Sequence, residues 1–211
     1  MYVIIEEKNA LIVDPFISEE AEGYLCASKI QSVMVLLTHE HYDHISGVND
    51  LRQKFHTKVI SSEKCKENIE NPKNNTTSTF PILFLTDKAK YKKVKEELSL
   101  PYFCYIDEVF KESHIIKWID HDIECIAVGG HSPGSSIYIV DKEMAFVGDN
   151  ILLNGREMKS YKSSLSQYEN SFIPAFWGLD KECIIFPGHG ECAKTSAFTE
   201  YIIRREYKNG N

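Results

Sequence analysis

The stretch "VMVLLTHEHYDH" at residues 33–44 limits what this chain can fold into more than any other. Its uninterrupted apolar run, residues 33–38, is typical of a strand that is buried on both faces of a sheet. His39, His41, Asp43 and His44 then follow within six residues. An imidazole that is buried at the end of a strand needs a polar partner. The cluster therefore indicates either a bound ligand or a specific set of hydrogen bonds.

The geometry expected for this stretch brings its side chains to one place. His39 and His41 lie two residues apart, so on an extended strand their side chains share one face. Asp43 and His44 lie where the chain enters a helix, because apolar residues recur at helical spacing beyond them. Those residues are Ile45, Val48, Leu51 and Phe55. One short segment can therefore serve two adjacent metal ions.

The rest of the first half predicts alternating strands and helices. An opening hairpin is predicted by "YVII" and "ALIVD", a helix within residues 18–30, and a further strand by "TKVISS". The segment "ENPKNNTTSTFP" is a polar loop rich in turn formers, and "DKAKYKKVKEEL" predicts an exposed helix with a solvated lysine face.

The second half is richer in strands. A meandering sheet with short turns is predicted by "HIIKWI", "IECIAVGG", "SSIYIVD" and "MAFVGD". A helix near residues 164–172, the strand "CIIFPG" and a closing helix "AFTEYIIRREY" complete the chain. Two sheets packed face to face with helices outside them fit this order.

Three further ligand candidates follow strand-like runs in this second half. They are His131 in "GGHSPGSS", Asp149 in "FVGDN" and His189 in "FPGHGE". Each lies beside glycine or proline, where a loop meets a strand. The other histidines, His56, His114 and His121, show no such context, and we expect them to be ordinary surface or core residues.

Composition excludes several classes of function. The net charge of −7 argues against a groove that follows a phosphate backbone, so a nucleic-acid partner is not expected. No apolar run reaches the length of about 20 residues that a membrane helix needs. The N-terminus lacks the basic start and small-residue cleavage site of a signal peptide, so we expect a cytoplasmic protein. The six cysteines form no CxxC pair, which indicates reduced thiols.

The motifs "HEHYDH", "GGHSPGSS", "VGDN" and "PGHG", together with "IVDPF", resemble those of the metallo-β-lactamase superfamily. The resemblance runs from about residue 2 to residue 195, and "HSPGSS" is similar to glyoxalase II and its shorter relatives. It implies an α/β fold, the αββα sandwich of the metallo-β-lactamases, formed by residues 1–211 as a single domain. His131 follows His44 by 87 positions, and we assign the excess length to a cap insertion around residues 85–105.

The resemblance also implies roles for individual residues. His39, His41 and His131 would bind a first metal ion, Asp43, His44 and His189 a second, and Asp149 would bridge the two. Asp14 would be a structural carboxylate beneath the metal site. The cofactors implied are two Zn²⁺, with Fe or Mn as alternatives.

A dinuclear zinc site would supply a hydroxide nucleophile at neutral pH and a Lewis acid for the substrate oxygen. The resemblance therefore predicts a zinc-dependent hydrolase of an ester, thioester, lactone or related acyl bond in a small molecule. Asp43 or Asp149 would steer the proton.

Three alternatives remain open at this point. One is an oxidoreductase similar to the persulfide dioxygenases, with one iron and O₂ as the oxidant. Another is a nuclease or phosphodiesterase with the same ligands, and the third is a scaffold in which the metals only stabilise the fold. A strand that usually precedes "YVII" is also missing, which would leave an edge for a second copy of the chain to cover, as in a homodimer.

Overall fold

The computed structural model describes residues 1–16, 18–98, 101–151, 162–199 and 202. The chain divides into two compact units, residues 1–109 and 110–211, which are described separately below. Organisation as a single domain stays a prediction. Among the described residues, no helix has both the length and the apolar composition that crossing a bilayer requires.

The first unit is a mixed sheet with helices between its strands. Its elements are β1 (Tyr2–Glu6), β2 (Asn9–Val13), α1 (Glu19–Ala27), β3 (Ser32–Leu36), α2 (Tyr42–Ile45), α3 (Val48–Lys54), β4 (His56–Ser62), α4 (Glu63–Ile69), a 3₁₀ helix (Phe80–Phe84), α5 (Lys88–Glu97) and β5 (Glu108–Phe110), which ends at the unit boundary. The hairpin, the helix within 18–30 and the exposed helix predicted from the sequence are confirmed. The short strand β5 was not predicted.

The strand order β1-β2-β3-β4-β5 positions the residues that follow β2 and β3. β1 and β2 are antiparallel, whereas β2, β3 and β4 are parallel, with Val13 opposite Leu36. Because the carboxyl ends of parallel strands meet at one edge of a sheet, Asp14 and Thr38 are neighbours there. A core of buried aliphatic residues that includes Ile12, Val35 and Leu37 supports this edge from below.

The single helix predicted from Ile45 to Phe55 is wrong in one respect, because the chain forms two helices there. The break comes at Gly47, whose N–H donates to the carbonyl of Pro15 at 3.0 Å. A Cβ at position 47 would lie 2.8 Å from the carbonyl oxygen of Phe16, so only glycine allows this approach. The regular apolar spacing of the segment gives no sign of this contact with a distant loop.

The second unit contains β6 (Ser113–Trp118), β7 (His121–Ala127), β8 (Ser136–Val140), β9 (Met144–Gly148), α6 (Leu165–Gln167), a π-helical turn (Tyr168–Phe172), α7 (Ile173–Trp177), β10 (Ile184–Pro187) and β11 (Ala193–Lys194). The strand order is β11-β10-β9-β8-β7-β6. The predicted meander of β6 to β9 is confirmed, since each pairs antiparallel with the next. β10 runs parallel to β9, so the residues after these two strands share one edge.

Helical structure in this unit extends past the predicted end at residue 172. The π-helical turn that ends at Phe172 leads directly into α7, which carries Pro174 near its start. Of the predicted closing helix, residues 197–199 and 202 are described and are helical, and the rest lies outside the described residues. The core of the unit packs Phe172, Phe176 and Phe198 against the sheet.

Candidate metal centre

The two histidines that follow β3 present ring nitrogens close enough to share an ion. Nε2 of His39 lies 3.1 Å from Nδ1 of His41, and both rings are buried. Two nitrogens that bind one Zn²⁺ at about 2.0–2.1 Å lie roughly 3.0–3.4 Å apart in tetrahedral or slightly compressed geometry. Nδ1 of His39 is 3.1 Å from the hydroxyl of Thr38, which orients the ring and leaves Nε2 for the ion.

His44 is oriented by a carboxylate in the same way. Asp14 follows β2 in the left-handed region at φ 53°, which an aspartate tolerates better than most residues, and it is buried. Its Oδ2 lies 2.9 Å from Nδ1 of His44, and its two oxygens accept from the N–H of Thr38 at 2.7 Å and the Thr38 hydroxyl at 2.5 Å. A carboxylate on one ring nitrogen fixes the tautomer that directs the other towards a metal. Asp14 therefore lies where a structural carboxylate would act.

Asp43 and His44 lie together on α2. The Oδ2 of Asp43 is 3.6 Å from Nε2 of His44, and the Asp43 side chain is 32% exposed while that of His44 is buried. The ring centroids of His39 and His44 are 4.1 Å apart. The first unit thus presents three imidazoles and one partly exposed carboxylate within a few ångströms of one another.

The second unit brings together the other three candidates. The Oδ2 of Asp149 lies 3.7 Å from Nε2 of His131 and 3.6 Å from Nε2 of His189. Asp149 and His131 are buried, whereas the side chain of His189 is half exposed. One carboxylate oxygen between two imidazoles is the arrangement expected of a ligand that two cations share.

Parallel pairing and a close backbone approach explain this convergence. Asp149 follows β9 and His189 follows β10, and the N–H of Gly188 donates to the carbonyl of Gly148 at 2.8 Å. The N–H of His131 donates to the Asn150 side chain at 2.8 Å. A Cβ on Gly130 would lie 2.6 Å from that same Asn150 oxygen, and φ is 100° there, so glycine is required before His131.

Sequence reasoning named Asp14 but missed two other residues that orient the candidates, Thr38 and Asn150. Thr38 and Asn150 are adjacent in sequence to His39 and Asp149, so a hydrogen-bonding residue beside each ligand was a signal that could have found them. The histidines that were left out lie elsewhere: His121 pairs with Asp141, and His56 and His114 lie on strands. Two neighbouring aromatic side chains of α7 differ in burial, since Phe176 is core and Trp177 is 45% exposed.

The donor set suits a divalent transition metal. Imidazole nitrogens and carboxylate oxygens are ligands of Zn²⁺, Fe²⁺ and Mn²⁺, and thiolates take no part in either cluster. None of the six cysteines, all of which lie within the described residues, forms a disulfide, and Cys65, Cys125 and Cys183 are buried.

Comparison with known proteins gives consistent results. The family model of the metallo-β-lactamase superfamily matches residues 1–189. The chain is similar to the hydroxyacylglutathione hydrolase GloC of Haemophilus influenzae, at 28% identity over 198 residues that cover 88% of this chain and 82% of that protein. This relative bears out the resemblance to glyoxalase II.

Solved structures show the same fold. The B3 metallo-β-lactamase BLEG-1 superposes with a TM-score of 0.75 at 24% identity, covering 94% of this chain and 90% of that one. A di-iron-bound form of TTHA1623 superposes with a TM-score of 0.62 at 17% identity, covering 93% and 89%. The predicted α/β fold class, the metallo-β-lactamase sandwich, is thus confirmed. Because the family model matches most of the chain, the protein belongs to the metallo-β-lactamase superfamily.

Proposed function

We propose that the chain is a metal-dependent hydrolase that cleaves an ester, thioester, lactone or related acyl bond in a small molecule. The observation that carries this proposal is the carboxylate of Asp149, one oxygen of which lies 3.7 Å and 3.6 Å from the two imidazoles of His131 and His189. A buried carboxylate of this kind is costly unless cationic partners offset its desolvation.

The proposed ligand assignment follows the superfamily pattern and the ring nitrogens that the structure leaves for a metal. His39 through Nε2 and His41 through Nδ1, with His131, would bind one cation. Asp43, His44 through Nε2 and His189 would bind the other. Asp149 would be the shared ligand.

Bound Zn²⁺ would supply a hydroxide-like water near neutral pH and a Lewis acid for the acyl oxygen. The protein's own contribution is to hold the ligands and to move a proton. Asp14 and Thr38 fix the rings of His44 and His39, so these ligands need no reorganisation when substrate binds. Asp43 is partly exposed and can exchange a proton with solvent, whereas Asp149 is buried. We therefore assign proton transfer to Asp43 in the first instance and to Asp149 as the alternative.

The GloC relative supports a thioester as the first substrate class to test. Zinc is the metal proposed first, because three histidines with carboxylates are a common zinc set. Iron and manganese stay open, and the di-iron form of a structural neighbour supports testing iron. Cytoplasmic location, the absence of a nucleic-acid partner and a homodimer through the edge strand β1 stay predictions.

The test combines metal analysis with a substrate panel. Purified protein loaded with Zn²⁺, Fe²⁺ or Mn²⁺ is assayed on hydroxyacyl thioesters, aryl esters and lactones, beside His41→Ala, Asp149→Ala and the control His114→Ala. We expect two metal ions per chain and a loss of about 100-fold or more in the two site variants, with the control unchanged.

Other outcomes would replace the proposal. One iron per chain with consumption of O₂ would favour the oxidoreductase, and cleavage of a phosphodiester alone would favour the nuclease. Metal binding that stabilises the fold without any activity would favour a scaffold. Full activity in both site variants would exclude the dinuclear mechanism.

A further inference from the structure

The segment between α4 and β5, residues 70–107, of which 70–98 and 101–107 are described, contacts the helical corner that carries two of the proposed ligands. This corner consists of α2, which contains Asp43 and His44, and the beginning of α3. Short helices leave their first N–H groups and last carbonyls unpaired within the helix. The cap residues of α2 and α3, His41 and Gly47, make no side-chain cap hydrogen bond. The missing caps come from the 70–107 segment.

Thr76 caps the start of α2. The N–H of Tyr42, the first residue of that helix, donates to the Thr76 hydroxyl at 3.2 Å. Tyr42 lies between His41 and Asp43, so this bond fixes the backbone at the centre of the ligand motif. Thr76 holds φ at 60°, a left-handed conformation that a β-branched residue adopts only where its surroundings impose it. The Tyr42 ring also packs edge-on against Phe80 at a centroid distance of 5.0 Å.

Tyr102 joins the end of α2 to the start of α3. Its hydroxyl donates to the carbonyl of Ile45 at 2.8 Å and accepts from the N–H of Asn49 at 3.2 Å. One hydroxyl thus pairs a last carbonyl of one helix with a first-turn N–H of the next. Burial, as the main cause, raises the pKa of Tyr102 well above its ordinary value, so the phenol keeps the proton that it donates. The Asn49 amide adds a bond to the carbonyl of Phe103 at 2.8 Å.

Asn75 links the stretches that make these two contacts. Its buried side-chain amide donates to the carbonyl of Ile69 at 2.9 Å and to that of Tyr102 at 2.8 Å. Its oxygen accepts from the N–H of Thr77 at 3.1 Å and from the Thr77 hydroxyl at 2.7 Å. The turn that bears Thr76 and the stretch that bears Tyr102 are therefore tied to each other and to the end of α4.

We propose that Thr76 and Tyr102 are positioning residues for the second metal ion, because they hold the corner on which Asp43 and His44 lie. The inference rests on the proposed function, since it assigns a role towards a metal that those residues would bind. The 70–107 segment would then support the site without contacting the substrate. Residues that orient metal ligands from outside typically contribute about 10- to 100-fold to metal affinity.

The experiment measures metal binding without substrate. Metal-free protein is titrated with Zn²⁺ against a chromophoric chelator, which yields separate dissociation constants for the first and second ions. The variants are Tyr102→Phe, which removes only the hydroxyl, and Thr76→Val, with Thr76→Ser to restore the hydroxyl. Tyr105→Phe is the matched control, because it makes the same change in the same segment at a ring that is 66% exposed.

We expect Tyr102→Phe and Thr76→Val to weaken the second constant by about 10-fold or more and the first by less than about threefold. Thr76→Ser and Tyr105→Phe should match the unmodified protein. Thermal unfolding of each metal-free variant separates positioning from stability, because a purely structural role would change the unfolding temperature and both constants together. If Tyr102→Phe does not fold, the Thr76→Val and Thr76→Ser pair decides the question.

The failures are distinguishable. If the unmodified protein binds two ions and the variants bind both with unchanged constants, or lose both in equal measure, the inference is overturned and the proposed function stands. If the unmodified protein takes up no second ion, the dinuclear proposal fails and the inference fails with it.

Discussion

Asp14→Asn tests how much the buried carboxylate beneath the first-unit cluster contributes. Asp14 accepts three hydrogen bonds, from the N–H of Thr38 at 2.7 Å, the Thr38 hydroxyl at 2.5 Å and Nδ1 of His44 at 2.9 Å. Asparagine has the same shape and also tolerates the left-handed backbone at this position, so the substitution changes only the chemistry. An alanine would add backbone strain and confuse the result.

The amide can satisfy only part of this pattern. If its oxygen accepts from the N–H of Thr38, its NH₂ group faces the Thr38 hydroxyl and Nδ1 of His44. The hydroxyl can turn to accept, but the imidazole can meet an NH₂ donor only with a bare Nδ1 and its proton on Nε2. That tautomer has no lone pair on Nε2 for a metal.

The expected magnitude follows from two contributions. Loss of an outer partner of a metal-binding histidine weakens metal affinity by about 10- to 100-fold, which is about 1.4–2.8 kcal/mol. In the metal-free protein, hydrogen bonds to a charged acceptor become bonds to a neutral one. Because the desolvation of the buried charge is relieved at the same time, we expect the free energy of unfolding to fall by only about 1–3 kcal/mol.

The assay is the same two-step Zn²⁺ titration, with Asp141→Asn as a matched control. Asp141 also has a positive φ, accepts from Nδ1 of His121 and accepts from the N–H of Asp122 at 3.0 Å, but it lies on the surface. We expect the second constant to weaken in Asp14→Asn alone. A folded Asp14→Asn protein whose second constant stays within threefold of the unmodified one would refute the tautomer argument.

Three further predictions concern stability and reactivity. Cys192 is exposed, whereas burial raises the pKa of the Cys104 thiol to about 12. At pH 8 we therefore expect a thiol reagent to modify Cys192 within minutes and Cys104 only on unfolding. Mass spectrometry of the labelled peptides would measure both. Lys142 occupies the tight turn between β8 and β9 at φ 63°, a conformation that strains a residue with a side chain. We therefore expect Lys142→Gly to raise the free energy of unfolding by about 0.5 kcal/mol in urea titrations. A decrease would contradict this account of backbone strain. Phe176 is fully buried and Trp177 is 45% exposed. We therefore expect Phe176→Ala to lower the free energy of unfolding by about 3–5 kcal/mol and Trp177→Ala to lower it by less than about 1.5 kcal/mol. Equal losses in the two variants would contradict this assignment of the core.

The sequence predicts the parts of the fold whose causes are local. Apolar runs and turn residues locate most strands of both sheets, and Asp87 marks the start of the exposed helix because its side chain accepts from the N–H of Lys90. The strands β5 and β11 were not predicted, because runs of three and two residues carry no periodicity. The break at Gly47 escapes it because the cause is a loop more than thirty residues upstream.

The candidate site is also predictable from the sequence only where the causes are local. Its proposed ligands stand next to strand ends and glycines, so the sequence identifies them one stretch at a time. The residues that orient those ligands lie at very different distances from them in the sequence. Thr38 is adjacent to His39, but Tyr102 contacts Ile45 across 57 positions. No local pattern in the sequence around Tyr102 indicates such a contact.

The buried ionisable groups are concentrated in the stretches that carry the proposed ligands. Of the described residues, the buried carboxylates and imidazoles are Asp14, His39, Glu40, His41, His44, His131 and Asp149. All of them lie in the superfamily motifs, and no lysine or arginine is buried among them. Burying a charged group costs several kcal/mol unless opposite charge and hydrogen bonds offset it. Three of these groups are carboxylates, so their burial has to be offset by hydrogen bonds or by opposite charge, and metal ions would supply such charge. The concentration of buried carboxylates and imidazoles in these motifs therefore supports the proposal that they bind metal ions.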